Sequence, residues 1–448
     1  MGNFEMCIWG DSSNTHFHIG ETEITMSNPV LEQELAEYAE GAKAYLDALR
    51  EKGIVFAEEG ANQKRIDELR AKLKDKGAQF KNGGASIVWG WQSKACVECT
   101  GNKGSETFST TFRCHRDCYF CFNYNVAGYE TFVREGCPWR EGLEDAERRY
   151  GHDGLAVLGL TGGEPLLVLD DSIALLEEAN RRFPSAHKRM YTSGDLLTEE
   201  GARRLQEVGL DEIRFSVKQD DPLERQERVL AAMKLAKRYI PSLMVEMPII
   251  PNTDERMHEL FDRWGEIGID GINLLEFCFP FHSWEEFAAR GFEIRNPPFD
   301  IMYDYGYSGG LPVAGSEELC LELMLWGIDH DVPFGMHYCS LDNKHRSEMR
   351  LRNERGRNMH PVFRFDENDF FLKCAKVFGD DVKPTIEGLL RAGKTTFLHN
   401  EEAESLSFPR RDLRYLGNLD IAPAISVCVL EDDEEGAYLR EIALKPIR

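Results

Sequence analysis

The hydrophobic pattern divides the chain into a helical N-terminal stretch and a long alternation of strands and helices. Residues 30–52 and 61–76 repeat apolar side chains at helical spacing and end at Gly53 and Gly77. These two runs predict a pair of helices ahead of the main core. The second run is strongly charged, so we expect the pair to be a solvated appendage, with a clamp for a substrate or partner as the alternative.

Six apolar runs of strand length occur in the middle of the chain, separated by helical runs. Repeated strand–helix units form a parallel sheet with helices outside it, so the pattern predicts an α/β core. The predicted strands are 108–112, 155–160, 188–192, 212–217, 244–249 and 271–275, and the helices between them are 170–182, 199–207, 224–238 and 255–266.

The pattern also predicts where the chain divides into regions. We expect an N-terminal helical extension over 1–90, a core that includes a CxxC segment over 91–345, and a C-terminal extension over 346–448. Within this scheme a further helix is predicted over 315–328, and the last charged region is expected to end in a hairpin.

Composition and charge narrow the classes of function. A net charge of −25 disfavours a nucleic-acid partner, which needs a basic surface. No run reaches the roughly 18 apolar residues of a membrane span, and the N-terminus does not resemble a secretory signal. We therefore predict no membrane partner and a cytoplasmic location, in which the 12 cysteines are metal ligands and buried thiols.

The strongest chemical signal is a CxxxCxxC segment made by Cys114, Cys118 and Cys121. Chance alone gives this spacing in about one chain in a hundred of this composition. Three thiolates can bind three irons of a 4Fe–4S cluster and leave the fourth iron open, whereas electron-transfer clusters use four cysteines. An open iron indicates chemistry at the cluster and sensitivity to oxygen, so an anaerobic host is expected.

With LTGGEPLL at residues 160–167, the chain resembles the radical S-adenosylmethionine (radical SAM) superfamily. The resemblance includes Phe120 directly before the last cysteine. It implies a partial (β/α)6 barrel in which SAM binds the open iron and is cleaved to a 5′-deoxyadenosyl radical. It further implies that Gly162, Gly163 and Glu164 bind the methionyl part of SAM, and that an electron donor such as flavodoxin or ferredoxin is a partner.

Two strand ends extend the resemblance toward pyruvate formate-lyase activating enzymes. The segment YTSG at 191–194 resembles a SAM-contacting turn of those enzymes, although Tyr191 replaces an aspartate, so Thr192 and Ser193 are the expected contacts. FSVKQ at 215–219 resembles another strand end, which implies that Lys218 pairs with the SAM carboxylate. Ser216 and Glu246 are expected to face the barrel cavity or to be ordinary polar packing.

A second metal site is predicted from Cys96, Cys99 and Cys339, with His337 as an additional ligand. The CxxC run and the HYCS segment at 337–340 resemble an uncharacterised radical SAM subgroup related to pyruvate formate-lyase activating enzyme, over roughly residues 95–345. A second Fe–S cluster, a structural zinc ion and three unrelated thiols all remain open.

The remaining motifs carry less weight. The other cysteines lack ligand spacing and are expected to be small buried hydrophobic residues. Residues 388–395, GLLRAGKT, match a P-loop pattern, but polar residues rather than a strand precede them, and Gly393 is expected to cap a helix. The cysteines without ligand spacing are Cys7, Cys137, Cys278, Cys320, Cys374 and Cys428.

The sequence therefore predicts a radical SAM enzyme that abstracts hydrogen from its substrate. Installation of a glycyl radical on a partner protein, modification of a peptide and modification of a small metabolite are all compatible with the motifs. The alternative is a binding or scaffold protein that keeps the iron–sulfur cluster without radical chemistry.

Overall fold

The structure is a computed structural model that describes residues 28–99, 104–299, 301, 310–433 and 436–447. Within these residues no helix has both the length and the apolar character needed to cross a bilayer. The described chain forms one large sheet wrapped by helices and a second, smaller antiparallel sheet near the C-terminus.

The N-terminal part contains both predicted helices and then enters the large sheet. Asn28 caps the first helix by accepting a hydrogen bond from Leu31 N, which fixes where it begins. The elements of this part are α1 (Pro29–Glu51), α2 (Gln63–Asp75), β1 (Gln79–Lys81), β2 (Ser86–Trp89) and α3 (Lys94–Cys99).

The core alternates strands and helices, as the hydrophobic pattern predicted. Its first half contains β3 (Ser105–Ser109), α4 (Tyr129–Glu135), α5 (Trp139–Tyr150), β4 (Val157–Thr161), α6 (Leu169–Arg182), β5 (His187–Thr192) and α7 (Glu199–Glu207). Its second half contains β6 (Glu212–Phe215), α8 (Leu223–Ala236), β7 (Ser242–Ile249), α9 (Asp254–Ile267), β8 (Gly271–Glu276), β9 (Cys278–Phe279), α10 (Trp284–Ala289), β10 (Leu311–Pro312), α11 (Ser316–Asp329) and β11 (Gly335–Cys339).

The large sheet is open and has the strand order β1-β2-β11-β8-β7-β6-β5-β4-β3. Strands β3 to β8 are parallel in chain order and confirm the α/β class of a partial radical SAM barrel. The sheet is larger than the six predicted strands, because β11 adds a seventh parallel strand and β2 and β1 continue it in antiparallel pairing. The first strand was predicted about three residues too late.

The two faces of the parallel sheet differ in polarity because side chains alternate along each strand. Apolar residues such as Met190, Ile213 and Val245 point to one face and pack in a large core under the helices. Their neighbours Arg214 and Glu246 contact each other on the opposite side. We call this concave, polar side the inner face.

The C-terminal part forms the second sheet, in the order β14-β15-β13-β16-β17, with β12 paired to β13. The predicted hairpin is confirmed as β16 and β17, whereas the pattern did not predict the other strands. The elements are α12 (Leu341–Arg355), β12 (Arg364–Phe365), β13 (Leu372–Phe378), α13 (Val382–Arg391), β14 (Leu398–Asn400), β15 (Ser405–Phe408), β16 (Ala424–Asp433) and β17 (Gly436–Pro446).

The P-loop-like segment lies at the end of a helix. Helix α13 ends at Arg391, and Gly393 follows with a φ of +69°. A nucleotide-binding P-loop instead opens a helix after a strand. The geometry is the helix end that the sequence predicted.

Candidate active site

The cysteine loop follows β3 at the carboxyl rim of the parallel sheet, where active sites of such sheets form. The Gly-Gly-Glu segment follows β4 on the same rim. Backbone hydrogen bonds join the two segments: Gly163 N donates to Thr111 O and Glu164 N donates to Arg113 O, each at 2.8 Å. Asn123, just beyond the last cysteine, donates to Gly162 O at 2.5 Å.

Both glycines are required by this close contact. A Cβ at Gly163 would lie 2.1 Å from Arg113 O, and one at Gly162 would lie 2.5 Å from Thr111 O. Gly162 also has a φ of +109°, which side-chain-bearing residues rarely adopt. The glycines therefore allow the two segments to touch backbone to backbone.

Glu164 is buried and binds the end of the neighbouring strand β5. Its carboxylate accepts hydrogen bonds from Thr192 Oγ1 at 2.7 Å, from Ser193 N at 2.8 Å and from Ser193 Oγ at 2.6 Å. A fourth hydrogen bond comes from Leu166 N at 3.1 Å. The structure therefore brings together the predicted residues Glu164, Thr192 and Ser193.

The three thiols of the cysteine loop lie close enough to influence one another. Burial is the main cause that raises the pKa of Cys121 to about 11, and Cys118 and Cys114 add to the shift. Burial also raises the pKa of Cys118, while the Lys218 and Arg116 cations act in the opposite direction. Soft thiolates near two cations are a suitable donor set for an iron–sulfur cluster.

The cysteine loop is also fixed by ion pairs to two other loops of the rim. Arg116 donates to Asp195 at 3.1 Å and pairs with Asp221, and its side chain is only 3% exposed. His115 contacts Asp195 at 2.8 Å, and Ser193 Oγ lies 2.9 Å from the same carboxylate. Burial raises the pKa of Asp195, but these hydrogen bonds and the Arg116 charge lower it overall.

Phe120 belongs to the cysteine loop, and Lys218 follows β6. The Phe120 ring packs edge-on against Phe277, with 5.5 Å between centroids. Lys218 is buried and donates to Ser216 Oγ at 3.4 Å. Their roles toward a cofactor remain predictions. Glu246 is confirmed on the inner face, where it accepts from Asn273 at 2.5 Å.

The thiols of the predicted second metal site converge at the inner face. Cys96 Sγ accepts from Asn273 Nδ2 at 3.2 Å and from Arg214 Nη2 at 3.5 Å. Burial acts against ionisation, yet Arg214 and His337 lower the pKa of Cys96 to about 6. Burial raises the pKa of Cys339 to about 12, with smaller contributions from the other two thiols.

His337 already has a partner at each ring nitrogen. Nε2 contacts Ser86 Oγ at 2.9 Å and Nδ1 contacts Asn273 Oδ1 at 3.0 Å. Over the described residues, no group of three or more His, Cys, Asp or Glu side chains is arranged around a single ion. A metal bound by His337 would have to replace one of these hydrogen bonds, so the second site remains a prediction.

The eleven cysteines among the described residues are free thiols. Cys320, Cys374 and Cys428 are buried as predicted. The prediction was wrong for Cys137 and Cys278, which are only half-buried. Cys7 lies outside the described residues, as do the four residues that follow the CxxC segment.

Two sets of polar residues were missed by the sequence reasoning. The first is the ion-pair network of Arg116, whose position inside the cysteine motif was a usable signal. The second is the polar series along the inner face, which repeats every second residue in the strands. That series includes Arg189, Tyr191, Glu212, Arg214 and Asn273.

Residues 108–263 match the family model of the Radical SAM superfamily. This range contains the cysteine loop, the Gly-Gly-Glu segment and the strand ends that Glu164 joins. These residues therefore form a radical SAM domain, which supports an enzyme that uses radical chemistry. The family of this domain implies an iron–sulfur cluster and SAM as cofactors.

A relative supports a finer relationship. A Methanocaldococcus jannaschii protein, provisionally described as a glycyl-radical enzyme activating enzyme, is 26% identical over 308 residues, which cover 66% of this chain and 76% of the relative. This match confirms the predicted relationship to pyruvate formate-lyase activating enzyme.

Two solved structures are similar to parts of the chain. Streptococcus suis SuiB bound to S-adenosylmethionine aligns with a TM-score of 0.37 and 14% identity, over 53% of this chain and 51% of SuiB. The enzyme anSMEcpe, with bound AdoMet and a peptide, aligns with a TM-score of 0.35 and 17% identity, over 51% of this chain and 61% of anSMEcpe. The chain thus spans about half the length of SuiB.

Proposed function

We propose that the protein uses a 4Fe–4S cluster held by Cys114, Cys118 and Cys121, together with SAM, to begin a radical reaction on a protein or peptide. The three cysteines would hold the cluster, which would supply one electron, taken from a donor such as flavodoxin or ferredoxin, for cleavage of the C5′–S bond of SAM. The products would be methionine and a 5′-deoxyadenosyl radical, and that radical would take a hydrogen atom from the substrate.

The single observation that carries the proposal is the backbone contact between the cysteine loop and the Gly-Gly-Glu segment. Because Glu164 N donates to Arg113 O, directly before Cys114, the carboxylate and the thiols belong to one rigid unit. Glu164, Thr192 and Ser193 then supply oxygen atoms for the SAM ammonium, and Lys218 supplies a cation for its carboxylate.

A protein or peptide is the favoured substrate class, because the relative from Methanocaldococcus jannaschii is described as an enzyme that activates another enzyme. Modification of a small metabolite remains the second candidate from the sequence. A non-catalytic scaffold has no observation in its favour. The cytoplasmic location remains a prediction.

Anaerobic reconstitution with iron, sulfide, SAM and dithionite tests the proposal. We expect 5′-deoxyadenosine from the wild-type protein and none from Cys114→Ala, Cys118→Ala or Cys121→Ala. Cys137→Ala, which changes a half-buried cysteine without ligand spacing, is the matched control and should retain cleavage. An intact cluster that never cleaves SAM would instead indicate a scaffold.

Iron content separates one cluster from two. A 4Fe–4S cluster contributes about 4 iron atoms per chain, so about 8 would indicate a second cluster. Zinc measured alongside tests the structural alternative. We call Cys96, Cys99 and Cys339 the inner thiols. If they bind no iron, Cys96→Ala and Cys99→Ala should leave the iron content unchanged.

A further inference from the structure

The inner face carries a buried network in which most charged groups already have partners. Arg214 donates to Glu212 at 2.5 Å and pairs with Glu246, so it bridges two carboxylates across neighbouring strands. Glu212 also accepts from Ser93 Oγ at 2.5 Å and contacts His187 at 3.2 Å. Both carboxylates therefore already pair with Arg214.

Arg189 is the exception in this network. Its side chain lies on β5 and the residue is 5% exposed, yet it forms no ion pair within the described part of the chain. Its Nε is buried without a hydrogen-bond partner there. The guanidinium instead faces the Tyr191 ring, 5.5 Å from its centroid, and Arg214 lies at the same distance from that ring.

The neighbouring strand leaves room for this guanidinium. Gly159 on β4 is the register partner of Arg189. A Cβ at Gly159 would lie 3.3 Å from Arg189 Nε and 2.8 Å from Thr107 Cγ2. The glycine thus allows the guanidinium to lie against the backbone of β4 within the sheet.

A buried cation without a hydrogen-bonded partner costs free energy, because it loses hydration and is compensated only by more distant charges. The natural partner of a planar guanidinium is an oxyanion that accepts two parallel hydrogen bonds. Burial raises the pKa of Glu246, but nearby cations, Arg214 first and Arg189 to a smaller extent, lower it overall. Because this negative carboxylate already lies near the site, a singly charged anion suits the site better than a doubly charged one.

We propose that Arg189 binds a carboxylate group of the substrate on the inner face. This rests on the proposed function, and it places the substrate on the inner face, next to the rim that carries the cysteine loop and Glu164. Arg189 precedes Thr192 by three residues, which is about 10 Å along an extended strand. A carboxylate held there leaves the rest of the substrate between Arg189 and the rim where Glu164 lies.

A competing explanation is that the guanidinium compensates the charge of the inner thiols. Cys99 is exposed to solvent at its surface. Desolvation raises the pKa of its thiol, and Arg189 acts in the opposite direction with a smaller effect. If Arg189 served those thiols or a metal on them, replacing it would change the metal content or destabilise the protein.

The first test measures the melting temperature of the anaerobically purified protein without added ligand. Arg189→Met should melt at or above the wild-type temperature, because it removes a buried charge that has no hydrogen-bonded partner. Lys188→Met is the matched control, since Lys188 is also buried on β5 but donates to Ala186 O at 2.9 Å; it should melt lower. Destabilisation or loss of iron or zinc in Arg189→Met would overturn the proposal.

The second test measures binding of carboxylate probes by melting temperature, without SAM. The probes are acetate, an acetylated tripeptide with a free C-terminal carboxylate, the same peptide as its amide, and inorganic phosphate. The wild-type protein should be stabilised by at least one carboxylate and not by the amide, and Arg189→Met should bind that carboxylate at least tenfold more weakly. If the peptide binds more tightly than acetate, the carboxylate belongs to a peptide substrate. If acetate binds more tightly, the carboxylate belongs to a small acid.

Two results of the second test would overturn the inference. One is equal stabilisation of the wild type and Arg189→Met, and the other is stabilisation by phosphate as strong as by either carboxylate. Because SAM is left out, these results are independent of SAM cleavage. A wild type that binds the carboxylate but yields no 5′-deoxyadenosine would instead overturn the proposed function alone.

Discussion

Arg116 shows how a single residue can hold the rim of the sheet together. It occupies a variable position of the cysteine motif, and its guanidinium connects that loop to Asp195 after β5 and Asp221 after β6. Since all three side chains are at most 10% exposed, the pairs are largely protected from solvent. Removing one member of such a group leaves a buried charge behind.

We therefore predict that Arg116→Gln destabilises the rim by about 3–5 kcal/mol, the typical cost of breaking a buried pair. The variant should retain less iron after desalting and cleave SAM more slowly. Arg113→Gln is the matched control, because Arg113 is exposed on the same loop. Equal iron retention and equal cleavage in the two variants would contradict this role.

At the residue scale, site residues that lie close together in the sequence were predicted, whereas pairs of residues that are distant in the sequence were not. The three cysteines and the Gly-Gly-Glu segment are recognisable because their members lie within a few residues of one another. The partners of Arg116 lie 79 and 105 residues away, and nothing in the sequence pairs them. Arg189 was missed for the same reason. Its interest lies in the lack of a hydrogen-bond partner at Nε, and that depends on residues that are distant in the sequence.

At the scale of elements, helices were predicted closely because their ends carry local signals. Thr198, for example, caps α7 through its side-chain oxygen. Helix α12, which Ser340 caps in the same way, was not predicted. The strands β2 and β11 were missed because each is short and joins the sheet only through non-local pairing. The antiparallel addition of β2 in particular has no counterpart in the strand–helix alternation.

Helix α12 carries a half-buried histidine, His345, that should make stability depend on pH. Burial, with a smaller effect of Arg346, lowers the pKa of His345 to about 4, below the value of about 6.5 in an unfolded chain. A lowered pKa means that the stability is complete above pH 6.5 and is lost as the pH falls toward 4.

Between pH 7.5 and pH 5 the wild-type protein should lose about 2 kcal/mol more unfolding free energy than His345→Gln. Chemical denaturation at a series of pH values measures this difference. Above pH 7.5 the offset between the two proteins should be constant. Parallel pH profiles throughout the acidic range would show that His345 does not cause the loss.

At the scale of the molecule, α1 connects two separate hydrophobic clusters. A 23-residue helix is about 35 Å long. Near its start, the fully buried Leu31 packs with Phe378, Ala424 and Leu444 of the second sheet. Near its end, Leu49 belongs to the cluster of Phe277 and Phe287 beside the cysteine loop. Asn28 adds a hydrogen bond to Phe378 O at 2.8 Å.

We predict that Leu31→Ala and Leu49→Ala each cost about 2–5 kcal/mol but act on different regions. Hydrogen exchange should rise in β13, β16 and β17 for Leu31→Ala, and around residues 277–294 for Leu49→Ala. This comparison also tests the proposed division at residues 90 and 345. If both variants increase exchange throughout the chain, the regions unfold as one cooperative unit.

The placement of α1 has a consequence for synthesis on the ribosome. The apolar partners of Leu31 belong to segments made some 350 to 410 residues after it. The first part of α1 must therefore remain partly uncovered while the whole sheet with its cysteine loop is translated. A nascent chain of this protein offers an apolar helix surface to chaperones until almost its last strand has emerged.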